Sequence, residues 1–201
     1  ARIGRNCKIF PGAVISAIPQ DMKYAGEDTI VKIGDNVTIR EFATINKGTK
    51  ANFETVIGDN TLIMAYVHVA HDCIVGNNVI IANSAGLAGH IKIDDWAIIG
   101  GMVAIHQFVS IGAHSLISGG SLVGKDVPPY CKAAREPLAY SGINSIGLRR
   151  RGFSSEKIKE IQDIYRIIFV NKFNVSQAIN FIEAEIPATP ERDEIILFIQ
   201  N

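Results

Sequence analysis

The sequence is short of the features that mark several large classes of protein. It carries no net charge, with 20 Lys and Arg set against 20 Asp and Glu. The basic excess that a dedicated nucleic-acid binder needs is missing, and no nucleic-acid partner is expected. Cysteines are few and far apart: Cys7, Cys73 and Cys131 form no C-x-x-C pair. That leaves out a zinc knuckle and a disulfide framework, and an odd set of thiols fits a reducing cytosol, so a cytoplasmic location is expected. No apolar run reaches the roughly 18–20 residues of a membrane span, and no secretory signal pattern is seen. What is present is a hydrophobic content of 47% over 201 residues. That is enough to bury a core in one domain, or in one domain plus a small appendage.

The dominant signal is a repeat of six residues. Hexads such as IGDNVT, IREFAT, IGDNTL, VGNNVI, IDDWAI and ISGGSL start at positions 3, 9, 15, 33, 39 and 45, then at every sixth residue from 57 to 123. All eighteen first positions are Ile, Leu or Val. Fifth positions are small or modest, as in Cys7, Ala13, Val37, Ala43, Cys73, Ala85, Ala97 and Ser115, and Gly often fills the second. The pattern predicts a flat-sided coil in which each hexad makes one short strand and one corner. Three hexads then close a triangular coil of 18 residues, with the first-position aliphatics stacked inside it. Gly or Asn is expected to supply the unusual φ of the corners. Stacked coils lie roughly 4.8 Å apart.

The phase is lost over 16–32 and 50–56 and then resumes, so both stretches are expected to be loops leaving the coil. The hexads stop at Pro128-Pro129. The segment GINSIGLRRRGF is expected to be a connector, with Ser154 or Ser155 capping an amphipathic helix that follows and further helices near 175–185 and 190–200. Pro190 suits a first helical turn. The chain therefore divides into a β-helix over 1–129 and a connector with a helical domain over 130–201. A repeat begins at once at Ile3-Gly4, and a helical pattern runs to Asn201, so further coils before and further helix after are expected.

There are five histidines. Hexads 69, 87 and 105 are spaced by one coil each, which places His71, His90 and His106 on one strip of surface, with His68 at the corner leading into it. Gly89 falls one coil after His71, so its backbone is expected beside the imidazole. His114 starts a different face. Such a cluster supports general-base catalysis or a three-imidazole zinc site, and spacing alone leaves both open. Asp72 follows His71 and could orient its ring, provided that the corner turns its side chain back.

The motifs QDMKYAGE (20–27), HVAHDC (68–73), LAGH (87–90), IIGGMVAIHQF (98–108), DVPPY (126–130) and GINSIGLRRRGF (142–153), in that order, resemble the UDP-N-acetylglucosamine 3-O-acyltransferases of the hexapeptide-repeat acyltransferase family. The resemblance implies a left-handed parallel β-helix with a small C-terminal α-helical domain. It also implies a homotrimer with active sites in clefts between subunits, no metal and no cofactor. The implied reaction moves an (R)-3-hydroxyacyl chain from acyl carrier protein to the 3-hydroxyl of UDP-N-acetylglucosamine, the first step of lipid A biosynthesis. Carried onto this chain, His71 matches the general base, Asp72 its orienting partner and Gly89 the oxyanion-binding backbone. Asp21, Lys23, His68, His90, His106 and Gln107 match substrate contacts. Asn144, Arg150 and Arg151 match the uracil and phosphate site, and Gly119 falls where acyl length is set, a glycine implying a long chain. Asn46 stands where some members have histidine. Lys125, Lys132, Arg135 and Arg149–Arg151 are expected to attract the acidic carrier protein.

Overall fold

The structure, a computed structural model, describes residues 1–171 and 173–200. The positions Lys172 and Asn201 of the expected helical domain lie outside the described residues.

Residues 2–127 wind into six coils of a left-handed parallel β-helix with three flat faces. Face 1 begins with strand Arg2–Ile3, face 2 with Lys8–Ile9 and face 3 with Val14–Ala17. Regular coils pair in an 18-residue register, for example Ile81 with Ile99 and Leu87 with Ile105. The two irregular steps are Ile3 to Ile33 and Ile33 to Ile57, which carry 12 and 6 extra residues over the regular coil. These excursions span 18–29 and 47–53. The first is narrower than the stretch that loses the hexad phase, because Ala17 and 30–32 keep their ladder pairing, and the second is shifted by three residues, because 54–56 pair with 30–32.

From the second coil on, each coil hides its first-position aliphatics. Ile39, Ile63, Ile81, Leu87, Ile99 and Ile117 are fully buried, and fifth-position Val37, Ala43, Cys73, Ala85 and Ala97 fill the corners beside them. The first coil has a neighbour on one side only, and its Ile3 and Ile9 are 45% and 46% exposed. Corner geometry departs from expectation in an instructive way. The positive φ falls on the fourth residue of the hexad, and it is carried by Asn36, Asn60 and Asn78 but also by Phe42, Tyr66, Asp72, His90, Trp96 and Phe108. The second-position glycines stacked between coils have ordinary φ and are needed for room: a Cβ on Gly58 would lie 2.5 Å from the Gly76 carbonyl carbon of the next coil. Between faces 1 and 2, third-position side chains cap the corner amides of the preceding coil. Asp35 N–H donates to Asp59 Oδ1 at 2.7 Å, and Asn77 N–H donates to Asp95 Oδ1 at 2.7 Å.

The sheet continues beyond the last coil. Strand Cys131–Ala134 adds in parallel to Leu116–Ile117 on face 2, and Ala139–Ile143 returns antiparallel to it. The segment expected as a plain connector is thus a hairpin followed by a short helix, α1 (Ser145–Arg150). Helix α2 (Ser155–Phe169) is capped by Ser154, whose side chain accepts from Lys157 N–H. It buries Ile158, Ile161, Ile164, Tyr165, Ile167 and Ile168 against α3 (Val175–Glu185) and α4 (Pro190–Gln200). Tyr165 donates its hydroxyl to Pro129 O at 2.5 Å, tying the helices to the end of the coil. Among the described residues no helix is long and apolar enough to cross a membrane.

Candidate active site

Both excursions leave at the same edge, the corner between faces 3 and 1. The next coils put His71-Asp72, Gly89-His90 and Gln107-Phe108 on that edge, one above another. The site therefore sits where the column of corners meets two loops.

Asp72 has φ of +59°, and this left-handed corner turns its carboxylate back onto the preceding residue. Its Oδ2 lies 2.8 Å from His71 Nδ1, with the Asp72 side chain fully buried and the His71 side chain 6% exposed. Burial pushes the Asp72 carboxyl up, but donors from Thr49, His71 and Asn52 outweigh it and hold the carboxyl below its ordinary range. The imidazole uses Nδ1 as donor to this carboxylate, which leaves Nε2 as an acceptor.

Gly89 lies against that free edge of the ring. A Cβ placed on it would come within 2.7 Å of His71 Nε2 and 2.5 Å of Cε1. Its amide is also unusual. Ala88 N–H donates to Ile105 O and His90 N–H to His71 O, while Gly89 N–H has no acceptor among the described residues. The Asp or Asn that caps third-position amides on the other edge has no counterpart here, since the third position one coil on is Gln107, which is exposed.

The expected strip of three histidines is corrected. His90 packs edge-on to His71 with centroids 5.0 Å apart, and its Nε2 is 3.9 Å from Asp72 Oδ2. The ring that continues the stack is Phe108, flat against His90 at 4.6 Å, and not His106. Phe108 stands one coil after His90 at the fourth position, whereas His106, at the second, points outward from face 3 and donates from Nδ1 to Gln107 O at 3.1 Å. His68 is half-buried on face 3, with Nδ1 2.7 Å from the Thr44 hydroxyl. Burial and then the neighbouring His71 lower its pKa. Asn46 is buried: its Nδ2 donates to Ile18 O at 3.0 Å, while its Oδ1 has no partner among the described residues. Asp21 and Lys23 lie on the first excursion in a turn closed by Lys23 N–H to Asp21 Oδ1 at 2.9 Å. Gly119 is exposed at the corner between faces 2 and 3, where a Cβ would meet Gly101 O at 3.1 Å. His71, Asp72 and His90 are close enough to offer three ligand atoms to one cation.

The residues expected at the uracil and phosphate site divide. Asn144 is buried and already used: it caps α1 by accepting from Gly147 N–H and donates to His114 O at 2.9 Å. Arg151 donates to Trp96 O at 2.9 Å and lies over the Trp96 ring. Arg150 is exposed. His114 indeed belongs to another edge, where it stacks between Trp96 and Tyr130. Burial and then the Arg151 charge bring its pKa down to about 4.

An imidazole locked by a buried carboxylate at a coil corner, with a free amide beside it, on a hexapeptide-repeat β-helix, defines an acyltransferase of the hexapeptide class. Residues 54–89 match the bacterial transferase hexapeptide model, and residues 126–201 match the model for UDP-N-acetylglucosamine O-acyltransferase, domain 2. The chain is 54% identical over 202 residues to the acyl-(acyl-carrier-protein)–UDP-N-acetylglucosamine O-acyltransferase of Chlorobaculum parvum, covering 100% of this chain and 76% of the relative. The protein of the same name from Thermodesulfovibrio yellowstonii is 51% identical over 199 residues, covering 98% and 77%. A solved UDP-N-acetylglucosamine acyltransferase from Bacteroides fragilis superposes with a TM-score of 0.97 at 54% identity, covering 100% of this chain and 78% of that one. The chain belongs to the acyl-(acyl-carrier-protein)–UDP-N-acetylglucosamine O-acyltransferase family.

Proposed function

We propose that this chain transfers an (R)-3-hydroxyacyl group from acyl carrier protein to the 3-hydroxyl of UDP-N-acetylglucosamine, with His71 as general base and no covalent intermediate. The observation that carries the reading is the pairing of a His71 Nε2 free to accept with a Gly89 N–H free to donate, side by side. His71 Nε2 takes the proton of the sugar hydroxyl as its oxygen attacks the thioester carbonyl. Asp72 holds the ring and stabilises the imidazolium that forms. Gly89 N–H receives the oxyanion. As the new C–O ester bond is completed, the C–S bond breaks and the proton passes from His71 to the departing thiolate.

His90, packed on the His71 ring, serves the sugar nucleotide together with His68, His106, Gln107, Asp21 and Lys23. Arg150 is the guanidinium exposed to a diphosphate, and planar donors suit that group. Asn144 and Arg151 act on the same subsite indirectly, by holding α1. Gly119, an exposed corner without a side chain, leaves room for a long acyl chain. Catalysis and the sugar contacts belong to the coil of 1–129 and the diphosphate contact to Arg150 in 130–201, with Lys125, Lys132, Arg135, Arg149 and Arg150 attracting the acidic carrier. The working unit is a cytoplasmic homotrimer with clefts between subunits, and the reaction is the first of lipid A biosynthesis.

The test is acyl transfer by purified protein from 3-hydroxyacyl carrier-protein donors of graded chain length, with the product mass and linkage determined. Ester formation on UDP-N-acetylglucosamine, best with long donors, is expected. Preference for short donors overturns the Gly119 assignment, and absence of transfer from any donor overturns the reaction. The cluster of His71, Asp72 and His90 makes a metal-dependent hydratase or lyase the alternative reading. Activity retained after exhaustive chelation supports the base mechanism; activity that returns only with stoichiometric zinc supports the alternative.

A further inference from the structure

The excursion 47–53 makes contacts that its lack of hexad phase gives no hint of. Thr49 N–H donates to Asp72 Oδ1 at 2.9 Å, and Asn52 N–H donates to the same oxygen at 3.2 Å. The Thr49 hydroxyl reaches Asp72 Oδ2 at 2.6 Å, on the oxygen that also faces His71 Nδ1. The direction of that hydroxyl is settled, because it accepts Ala51 N–H at 3.2 Å and so turns its own proton to the carboxylate. Asp72 N–H is held in turn by Thr55 Oγ1 at 2.9 Å. Four donors therefore fill the acceptor capacity of one buried carboxylate, and three of them come from one loop. The loop is itself pinned: Phe53 N–H donates to Thr49 O at 2.7 Å, and the Thr29 hydroxyl donates to Gly48 O at 2.6 Å. Thr49 is only 5% exposed, so it faces the carboxylate and not the solvent.

We infer that Thr49 is a positioning residue for the acyl transfer, and that the 47–53 excursion exists to fix the Asp72 carboxylate that aligns His71. The inference rests on the reading of His71 as base. A carboxylate with only the His71 donor can rotate about its χ2 axis and release the ring. With the Thr49 hydroxyl and two loop amides in place it cannot rotate without losing several bonds at once, and a buried carboxylate has no water to replace them. Thr49 touches neither substrate nor the reacting atoms, so its effect belongs in kcat and not in KM.

Steady-state kinetics of Thr49→Val, which keeps the shape and the backbone amide but removes the hydroxyl, test this. Expected are a fall in kcat of about tenfold with KM for UDP-N-acetylglucosamine within about twofold, consistent with loss of alignment. Thr49→Ser should restore kcat, and in an Asp72→Ala background Thr49→Val should cost nothing further. A kcat for Thr49→Val close to wild type, or the same loss with Asp72 absent, overturns the inference. If Thr49→Val melts early, Thr49→Ala and Thr49→Ser are compared at a temperature where both are folded, with the same two outcomes. His71→Ala separates the readings. If it is inactive while Thr49→Val is unaffected, only the positioning role falls; if it keeps full activity, the base assignment falls and this inference falls with it.

Discussion

Asp72 and His71 are consecutive in sequence, yet their side chains meet at 2.8 Å across a corner with φ of +59°. In an extended strand adjacent side chains point to opposite faces, and this pair would be separated. The left-handed corner folds the carboxylate back, so a dipeptide supplies both an imidazole and the carboxylate that orients it. Asp72 pays for its position only through its neighbours, since a non-glycine residue in that region is held there by the surrounding ladder.

Gly89→Ala should abolish most activity without unfolding the coil. The new methyl would sit 2.5 Å from His71 Cε1 and push the ring off its acceptor position. A displacement on the order of 1 Å costs roughly 100-fold in rate. The check is kcat/KM together with the melting temperature, which should fall less than for a glycine packed on backbone, because the methyl meets the end of a side chain.

Gly58→Ala tests the stacking logic of the coil itself. Its Cβ would meet the Gly76 backbone at 2.5 Å, whereas a Cβ on Gly86 meets nothing within 4 Å. Gly58→Ala should destabilise by about 1–3 kcal/mol, as overpacking does, and Gly86→Ala should be near neutral. Denaturant melts of the two variants decide it, and equal effects would contradict the account.

His114 makes stability depend on pH in a defined window. Its pKa in the folded chain is lowered to about 4 by burial and by Arg151, against about 6.5 when unfolded. The folded state thus prefers the neutral ring. Its contribution is full above pH 6.5 and is lost as the pH falls from 6.5 towards 4. His114→Phe keeps a ring between Trp96 and Tyr130, and it should flatten the fall of melting temperature across that window. An unchanged slope would show that other groups dominate.

Arg150 and Arg151 are adjacent but should behave differently. Arg150→Ala should raise KM for the sugar nucleotide about tenfold with an unchanged melting temperature, since a charged contact is worth about 1.5–3 kcal/mol. Arg151→Ala should lower the melting temperature first, because it removes the bond to Trp96 O that fastens α1 to the coil. Thermal melts beside kinetics separate the two.

These contrasts show what the sequence reveals and what it conceals. Periodicity places Gly89 beside His71, because residues 18 apart must stack, and it carries the aliphatic core with it. It misassigns the third ring, since the fourth position that carries the turn-back is shared by Asp72, His90 and Phe108 and excludes His106. The hairpin of Cys131–Ala134 and Ala139–Ile143 leaves no hexad trace, because only its pairing to the last coil marks it. The clamp on Asp72 joins residues 23 apart through a loop of no regular pattern, and such contacts are set by packing and not by periodicity. The roles of the arginines differ because one side chain finds a carbonyl and the other finds solvent.

The central claim is that His71 removes the proton from the attacking hydroxyl. Its most direct test is the rate of acyl transfer by chelator-treated His71→Ala, with the folded fraction checked alongside. The account predicts a loss of about 100- to 10,000-fold, the worth of a general base, in a protein that still folds. Transfer by His71→Ala at a rate within a few fold of wild type would contradict it.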